Sequence, residues 1–432
     1  MTPYSPATPG LPGAAGSAPQ PARIRLGEYL ALGQVPWTLA YVGYVVFFIV
    51  TTTYVADIGT LAMAIALTGL AIGTRRIRWP LPFWVFLAFW VVAAISSAES
   101  RFPGDLVPVV TLGKVLLVFL VGLNVLAHPQ GLRIFLLLFV TCFACFPVRG
   151  TLANYYVHEF ADFGRPRWIN AFNNPNDLAA LSILALAVSA GFLHKEAPRL
   201  VRIGALLACA VIPFVVLLTQ SRAAFIGLAV FVLLVTLSIR RNRIRTLVAL
   251  AVIAATVIAA APADVWDRVA GLEHARSAET IEMADPEGSA AQRWQIWQTA
   301  FRIIADHPGF GVGLGRYQQA NLIYSPALGP RDVHDTFLQV LAETGIPGLL
   351  LFLWLLGAIV LRARKARKKT RIARDGAEWR RLQLLEFGLY AYLVAGIWGT
   401  YGYLSLLYVY LAILFAQAEV LSPPRESSAP PR

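Results

Sequence analysis

Charge is scarce in this sequence. Only 14% of its 432 residues are Asp, Glu, Lys or Arg, against 57% hydrophobic residues and a mean hydropathy of +0.61. A soluble globular chain carries about 25% charged residues, so that class is excluded and the bilayer is the solvent. Cysteine is also scarce, and Cys142, Cys145 and Cys209 all fall in apolar runs. Cys142 and Cys145 have C-x-x-C spacing, but neither a βαβ pattern nor a second ligand pair accompanies them, so they are expected to be small buried helix residues. The first 36 residues, rich in Pro, Ala and Gly, have no apolar h-region and no cleavage site. They are expected to be a disordered cytoplasmic tail, with the first true span as the membrane signal. No tandem repeat of fixed period is visible, which sets solenoids and propellers aside.

What is abundant is long apolar runs. Runs able to cross, or nearly cross, about 30 Å of hydrocarbon occur near residues 37–55, 58–73, 82–98, 106–127, 131–147, 175–193, 201–219, 222–238, 245–261, 346–361, 384–399 and 402–419. The expected fold is therefore all-α, a polytopic membrane protein of about twelve transmembrane helices. Nine of them fall in residues 37–261 and three in 346–420, with a short cytoplasmic tail at 421–432. The joint around Gly399 and Gly402 is tight enough to be a break within one helix. Between the two helical blocks lies a large loop, residues 262–345, the chain's only sizeable polar part, expected to hold short helices.

The formal net charge is +13, and its distribution decides the orientation. With the N-terminus inside, the loops on the cytoplasmic side hold most of the Lys and Arg, and the outer loops hold most of the acids, as the positive-inside rule requires. Residues 148–174 and 262–345 are then periplasmic, in a bacterial inner membrane with both termini cytoplasmic. The densest basic run, Arg362 to Arg381, contains ten Lys and Arg. It is expected to be an anchor near anionic lipid, not a nucleic-acid surface.

The outer segments carry the polar chemistry. Ser289-Ala290-Ala291-Gln292 has capping-box spacing and opens a predicted helix to about Asp306. Along it Trp294, Trp297, Phe301 and Ile304 form an aromatic stripe suited to the membrane interface, with Ile296 and Arg302 well off the stripe. Arg293 lies at its edge, where headgroup anchor and ligand contact both remain open. The run Pro308 to Gly315 carries four glycines but no preceding strand, so a dinucleotide loop is rejected in favour of close backbone approach to a ligand or a neighbouring helix. His334-Asp335 opens a short helix, Thr336 to Thr344, where the loop re-enters the membrane. Position alone leaves His334 either structural or a base, for which imidazole is suited near neutral pH. Thr219-Gln220-Ser221-Arg222 sits at an outer boundary, and an arginine there needs an anionic partner. Lys114, two turns inside the fourth span, raises the same question, with snorkelling as the other answer. Arg165, Arg167 and the cluster Asn170 to Asp177 mark the outer entrance to the sixth span, and capping accounts for part of the cluster.

Taken together, Phe172 to Asn176, Gln220 to Arg222, Arg293 to Trp297, and Pro308 through His334 to Gly348 resemble the O-antigen ligase and polymerase superfamily across most of residues 165–350. The resemblance implies a membrane glycosyltransferase of lipopolysaccharide biosynthesis, metal-independent and inverting. It would take a glycan from undecaprenyl pyrophosphate to a lipid A core sugar in a ligase, or to another lipid-linked repeat in a polymerase. It also implies that His334 is catalytic and that Arg222 and Arg293 hold pyrophosphate; Arg167, Lys114 and Asn176, from their positions, are expected as further substrate contacts, with membrane lipids as partners and neither cofactor nor nucleic acid. The chain departs from the family at Asp335, where Asn is frequent. Such a donor is already activated, and with no D-x-D pair beside these motifs the arginines are the available electrophiles. A lipid-glycan transporter, the rival of another class, would need a polar path through the spans, whereas the polar residues concentrate outside.

Overall fold

A computed structural model of the chain describes residues 25–74, 76–157, 161–162, 165–239, positions 244, 248 and 252, and residues 290–370 and 376–422. The tail up to residue 24, most of the expected span at 245–261, the loop from 262 to 289 with Ser289, residues 371–375 of the basic run and the tail from 423 lie outside the described residues.

The first half of the chain forms α1 Leu26–Leu30, α2 Leu39–Thr53, α3 Gly59–Ile72, α4 Leu81–Glu99, α5 Val107–Val125, α6 Pro129–Phe143 and α7 Arg149–Val157. A two-residue hairpin, β1 Ala161–Asp162 against β2 Arg165–Pro166, is the only sheet among the described residues. Then come α8 Pro175–Ala190, α9 Arg199–Leu218, α10 Arg222–Ser238, α11 Ala290–Asp306, α12 Tyr317–Tyr324, α13 Thr336–Lys369, α14 Ala377–Ala395 and α15 Ser405–Leu421. Proline begins α4, α5, α6 and α8 in the first turn, where its missing N–H leaves nothing unsatisfied.

Among the described residues, five helices are long and apolar enough to cross a membrane: Leu81–Glu99, Val107–Val125, Pro129–Val157, Arg199–Leu218 and Thr336–Lys369. The apolar helices α2, α3, α8, α10 and α15 are shorter, at 14 to 17 residues, or about 21–26 Å at 1.5 Å per residue. Helix α14 has 19 residues but carries Glu378, Arg380, Arg381 and Glu386. These eleven helices match eleven of the twelve apolar runs in position, and the twelfth, 245–261, falls almost wholly outside the described residues, so the count of twelve crossings is not confirmed.

Two boundaries differ from expectation and two accord with it. Residues 26–30, expected in the disordered tail, are helical because Tyr29 is buried and Gln130 Nε2 donates to the Tyr29 and Leu30 carbonyls. Residues 149–157, expected in a polar outer segment, continue α6, and the π turn Ala144–Val148 accommodates Pro147 without breaking the rod. The short helix expected at Thr336 to Thr344 and the span expected from 346 follow one another within α13, with Gly345 between them in non-helical backbone at φ +68°. The joint after α14 separates two helices, with a 3₁₀ turn at Gly396–Trp398 and extended backbone at Gly399.

Helices α8 and α15 are buried along almost their whole length, as helices apolar all round must be. Helix α8 packs on α9, α10 and α14, and α15 on α5 and α13, while α4 lies against α13. At the end of the bundle where α13 begins, Ile296, Ala300, Ile303, Val312, Tyr317, Ala320, Val333 and Ala342 form a second core. It holds α11 and α12 over that end.

Candidate functional site

The N-terminus of α13 is built by Asp335, whose Oδ1 accepts from the Phe337 and Leu338 N–H groups, both at 2.8 Å. A cap of this kind satisfies donors that the helix leaves open, so the residue that departs from the family pattern has a complete local account. Asn, with the same side-chain oxygen, would serve equally. Burial raises the Asp335 pKa, and the two N–H donors only partly offset it. His334 lies just outside the cap with φ of +50°, a left-handed conformation uncommon for a non-glycine residue.

What holds that turn comes from α11. Trp297 Nε1 donates to the Val333 carbonyl at 3.0 Å, and Arg293 lies one turn earlier on the same side of the helix. The buried side of α11 is Ile296, Thr299, Ala300 and Ile303, so Ile296, which the aromatic stripe leaves out, is core. Trp294 and Phe301 of the stripe are 56% and 52% exposed.

The glycine run closes against α13. Val312 N–H donates to the Ala342 carbonyl at 2.8 Å, Gly313 N–H to that of Glu343 at 3.0 Å, and Ile346 N–H to that of Pro308 at 3.0 Å. Gly311 and Gly345 have φ of +72° and +68°, and a Cβ at Gly345 would stand 2.2 Å from the Gly309 carbonyl oxygen. The close approach is therefore to a neighbouring helix. Leu314 N–H donates to Ser97 Oγ at 3.0 Å, and Ser96 and Ser100 donate to the Glu343 and Val312 carbonyls, which fastens the run to the end of α4.

The opposite wall is organised by Arg165, which is buried. Its Nε donates to the Thr219 carbonyl at 2.8 Å and its Nη2 to Asn176 Oδ1 at 2.7 Å. One guanidinium thus joins the α9–α10 turn, with Gln220 at φ +54°, to the start of α8. Asn174 caps that helix, accepting from Asn176 N–H at 2.8 Å. Arg222 is the first residue of α10 and half-buried. Arg167 is half-buried, with Nη1 at 3.4 Å from the Asn173 carbonyl.

Tyr401 connects the two walls. It is buried in the α14–α15 joint beside Ser221, and it feels the charges of Asp177, Arg293 and Arg165. Thr336 Oγ1 fixes the joint by donating to the Gly399 carbonyl and accepting from Tyr401 N–H. Asp332, held by Gln318 Nε2 at 2.8 Å, acts on His334, Asp177 and Tyr317. The cleft therefore contains cations and carboxylates together. Burial and then the Arg293 charge lower the His334 pKa, against the opposing pull of Asp332, so the imidazole is neutral at neutral pH and available as an acceptor.

The structure thus brings His334 and Arg293 together, with the Ser221-Arg222 turn and Asn176 on the facing wall and Arg167 at its rim. It does not bring Lys114 to them. That side chain is exposed on α5, and no contact described here joins it to the cluster. Sequence reasoning missed Tyr401 and Asp332, and treated Arg165 and Asp177 only as entrance markers. The glycines around Tyr401 signalled the joint, but nothing local signalled which residues the joint would meet.

Among curated proteins no relative matches the chain. Residues 205–353 match the family model described as O-antigen ligase, a stretch from α9 to α13 that contains Arg222, Arg293 and His334. Over that stretch the chain is similar to O-antigen ligases, and its long apolar helices are those of a membrane protein.

Proposed function

We propose that this protein is a metal-independent, inverting glycosyltransferase of the O-antigen ligase type. It moves a glycan from undecaprenyl pyrophosphate to a lipid A core sugar at the periplasmic face of the bacterial inner membrane. The observation that supports this best is the pairing of a neutral, half-buried His334 with the Arg293 cation in the turn that Trp297 clamps. In this reading His334 accepts the acceptor hydroxyl proton as the new glycosidic bond forms and the bond from the anomeric carbon to pyrophosphate breaks. Arg222 and Arg293 stabilise the charge left on the departing diphosphate. General-base action of this kind is worth roughly 10²- to 10⁴-fold. In the same reading Arg167 meets the donor at the rim, and Asn176 positions the wall through its hydrogen bond from Arg165.

The test is an in vitro transfer assay with purified protein, lipid-linked donor and lipid A core acceptor, run with and without EDTA. His334→Ala and His334→Gln should both lose transfer while retaining donor binding, and the wild type should be indifferent to EDTA. Near wild-type turnover by His334→Gln, which can hydrogen-bond but cannot take a proton near neutral pH, would remove the base assignment. Elongation of lipid-linked repeats without transfer to the core would assign the chain to polymerisation instead.

A further inference from the structure

At the other end of α8, 16 residues or about 24 Å from the Asn176 wall, the turn into α9 encloses a second cleft. Its volume is about 430 Å³. Four of its lining residues are basic in type, His194, Lys195, Arg199 and Arg202, and the walls continue through Ile203 and Leu206. No carboxylate among the described residues lines it. Glu196 in the same turn is exposed and stands outside it.

The order of these residues along α9 is specific. At 100° per residue Arg199, Arg202, Ile203 and Leu206 fall within about 100° of one another, on one face. The two guanidiniums occupy the first turn and the two aliphatic side chains the second, over about 10 Å of helix axis. That first turn contains no acid, so two cations sit at the positive end of the helix dipole, an unfavourable placement unless an anion neutralises them. Beyond the cleft the same helix is the least buried of the five long apolar helices, and Leu200, Leu206 and Leu207 are exposed. Charge first and hydrocarbon next, on a lipid-facing helix, matches a phospholipid with its headgroup at the turn.

His194 adds a directional donor. Its Nε2 faces the Tyr29 hydroxyl at 3.4 Å and Arg381 Nη2 at 3.5 Å. A guanidinium can only donate, so Nε2 is the acceptor and the ring proton sits on Nδ1. That atom is buried and has no partner among the described residues. Burial, then the Arg381 charge, lowers the ring's pKa to about 4, which keeps it neutral with one N–H to offer.

We infer that this cleft is a binding site for an anionic phospholipid, the phosphodiester held by Arg199, Arg202 and His194 and the acyl chains laid along Ile203 and Leu206. The site is independent of the transfer reaction. It is distinct from the basic end of α13, where Arg362 pairs with Glu419, and Arg364 and Arg367 pair with Glu386, both carboxylates being buried.

The experiment uses the full chain in nanodiscs of equimolar phosphatidylglycerol and phosphatidylcholine, released for native mass spectrometry. The wild type should keep phosphatidylglycerol in preference to phosphatidylcholine, and Arg199→Gln/Arg202→Gln should lower that preference roughly tenfold or more. Arg101→Gln, at an exposed position in the α4–α5 turn, should leave it unchanged. A wild type with no preference, or a double variant equal to the wild type, overturns the inference. A companion measurement on the wild type alone keeps it testable if the double variant does not fold. Phosphatidylglycerol in detergent should raise the unfolding temperature, and inorganic phosphate should not. Equal stabilisation by inorganic phosphate would show a small-anion site and overturn the lipid.

Discussion

At the scale of single residues, the chemistry of the cleft turns on the surroundings of His334. Burial and the neighbouring Arg293 both disfavour the imidazolium, and Asp332 favours it. If His334 is the base, the acid limb of kcat/KM should fall through a pH below the ordinary histidine value of about 6.5. Arg293→Gln removes the cation that opposes protonation, so the limb should move to higher pH. Asp332→Asn removes the favourable charge and should move it lower. The signs are opposite, and pH–rate profiles of the two variants check them independently of how much activity each retains. Identical limbs in all three proteins would detach the titration from His334. A second residue-scale expectation concerns the arginines: Arg222→Lys and Arg293→Lys should both impair transfer, because a point charge cannot reproduce the planar fork. Full activity in both would leave them as headgroup anchors.

At the scale of elements, the start of α13 separates capping from catalysis. Asp335→Asn keeps the accepting oxygen and should leave stability within about 0.5 kcal/mol, whereas Asp335→Ala should cost about 1 kcal/mol. Thermal unfolding in detergent measures both, and transfer by Asp335→Asn should stay near the wild type. The kink in the same helix is stricter. Gly345 is left-handed and its missing Cβ faces the Gly309 carbonyl at 2.2 Å. Gly345→Ala should therefore lower stability by about 2 kcal/mol or more. A neutral Gly345→Ala would mean that the glycine run can move away from α13.

For the molecule as a whole, orientation is the quantity on which the functional reading depends. In a cysteine-free background, Ala327→Cys beyond α12 should react with an impermeant maleimide in intact cells. Lys368→Cys at the end of α13 should react only after permeabilisation. Both positions are exposed, so silence would reflect sidedness, not burial. Labelling of Lys368→Cys in intact cells would place the His334 cleft inside and end the periplasmic assignment. The same basic run shows how a bulk property divides in the folded chain. Arg362, Arg364 and Arg367 are drawn into pairs with Glu419 and Glu386, and Lys365, Lys368 and Lys369 stay exposed. Among the described residues from 362 to 370, these lysines are what is left for a lipid surface, because the planar guanidinium suits a carboxylate partner and the ammonium stays hydrated.

What the sequence by itself determined is whatever depends on neighbours along the chain. Apolar runs placed the helices, Asp335 and Asn174 marked two caps, and the order of Arg222, Arg293 and His334 pointed to a family. These signals are local because helix periodicity and capping act over three or four residues. The tertiary structure decided what depends on residues far apart in sequence. It set Ile296 under α11 and turned Trp294 outward, since the partner surface supplied by α12 and α13 selects the buried face. It put the glycine run against Gly345, Arg165 between Thr219 and Asn176, and Tyr401 between the two walls of the cleft. It left Lys114 on the outside of α5. A side chain's reach is a few ångströms, so its partners follow from which helices pack side by side, and no short stretch of sequence contains that information.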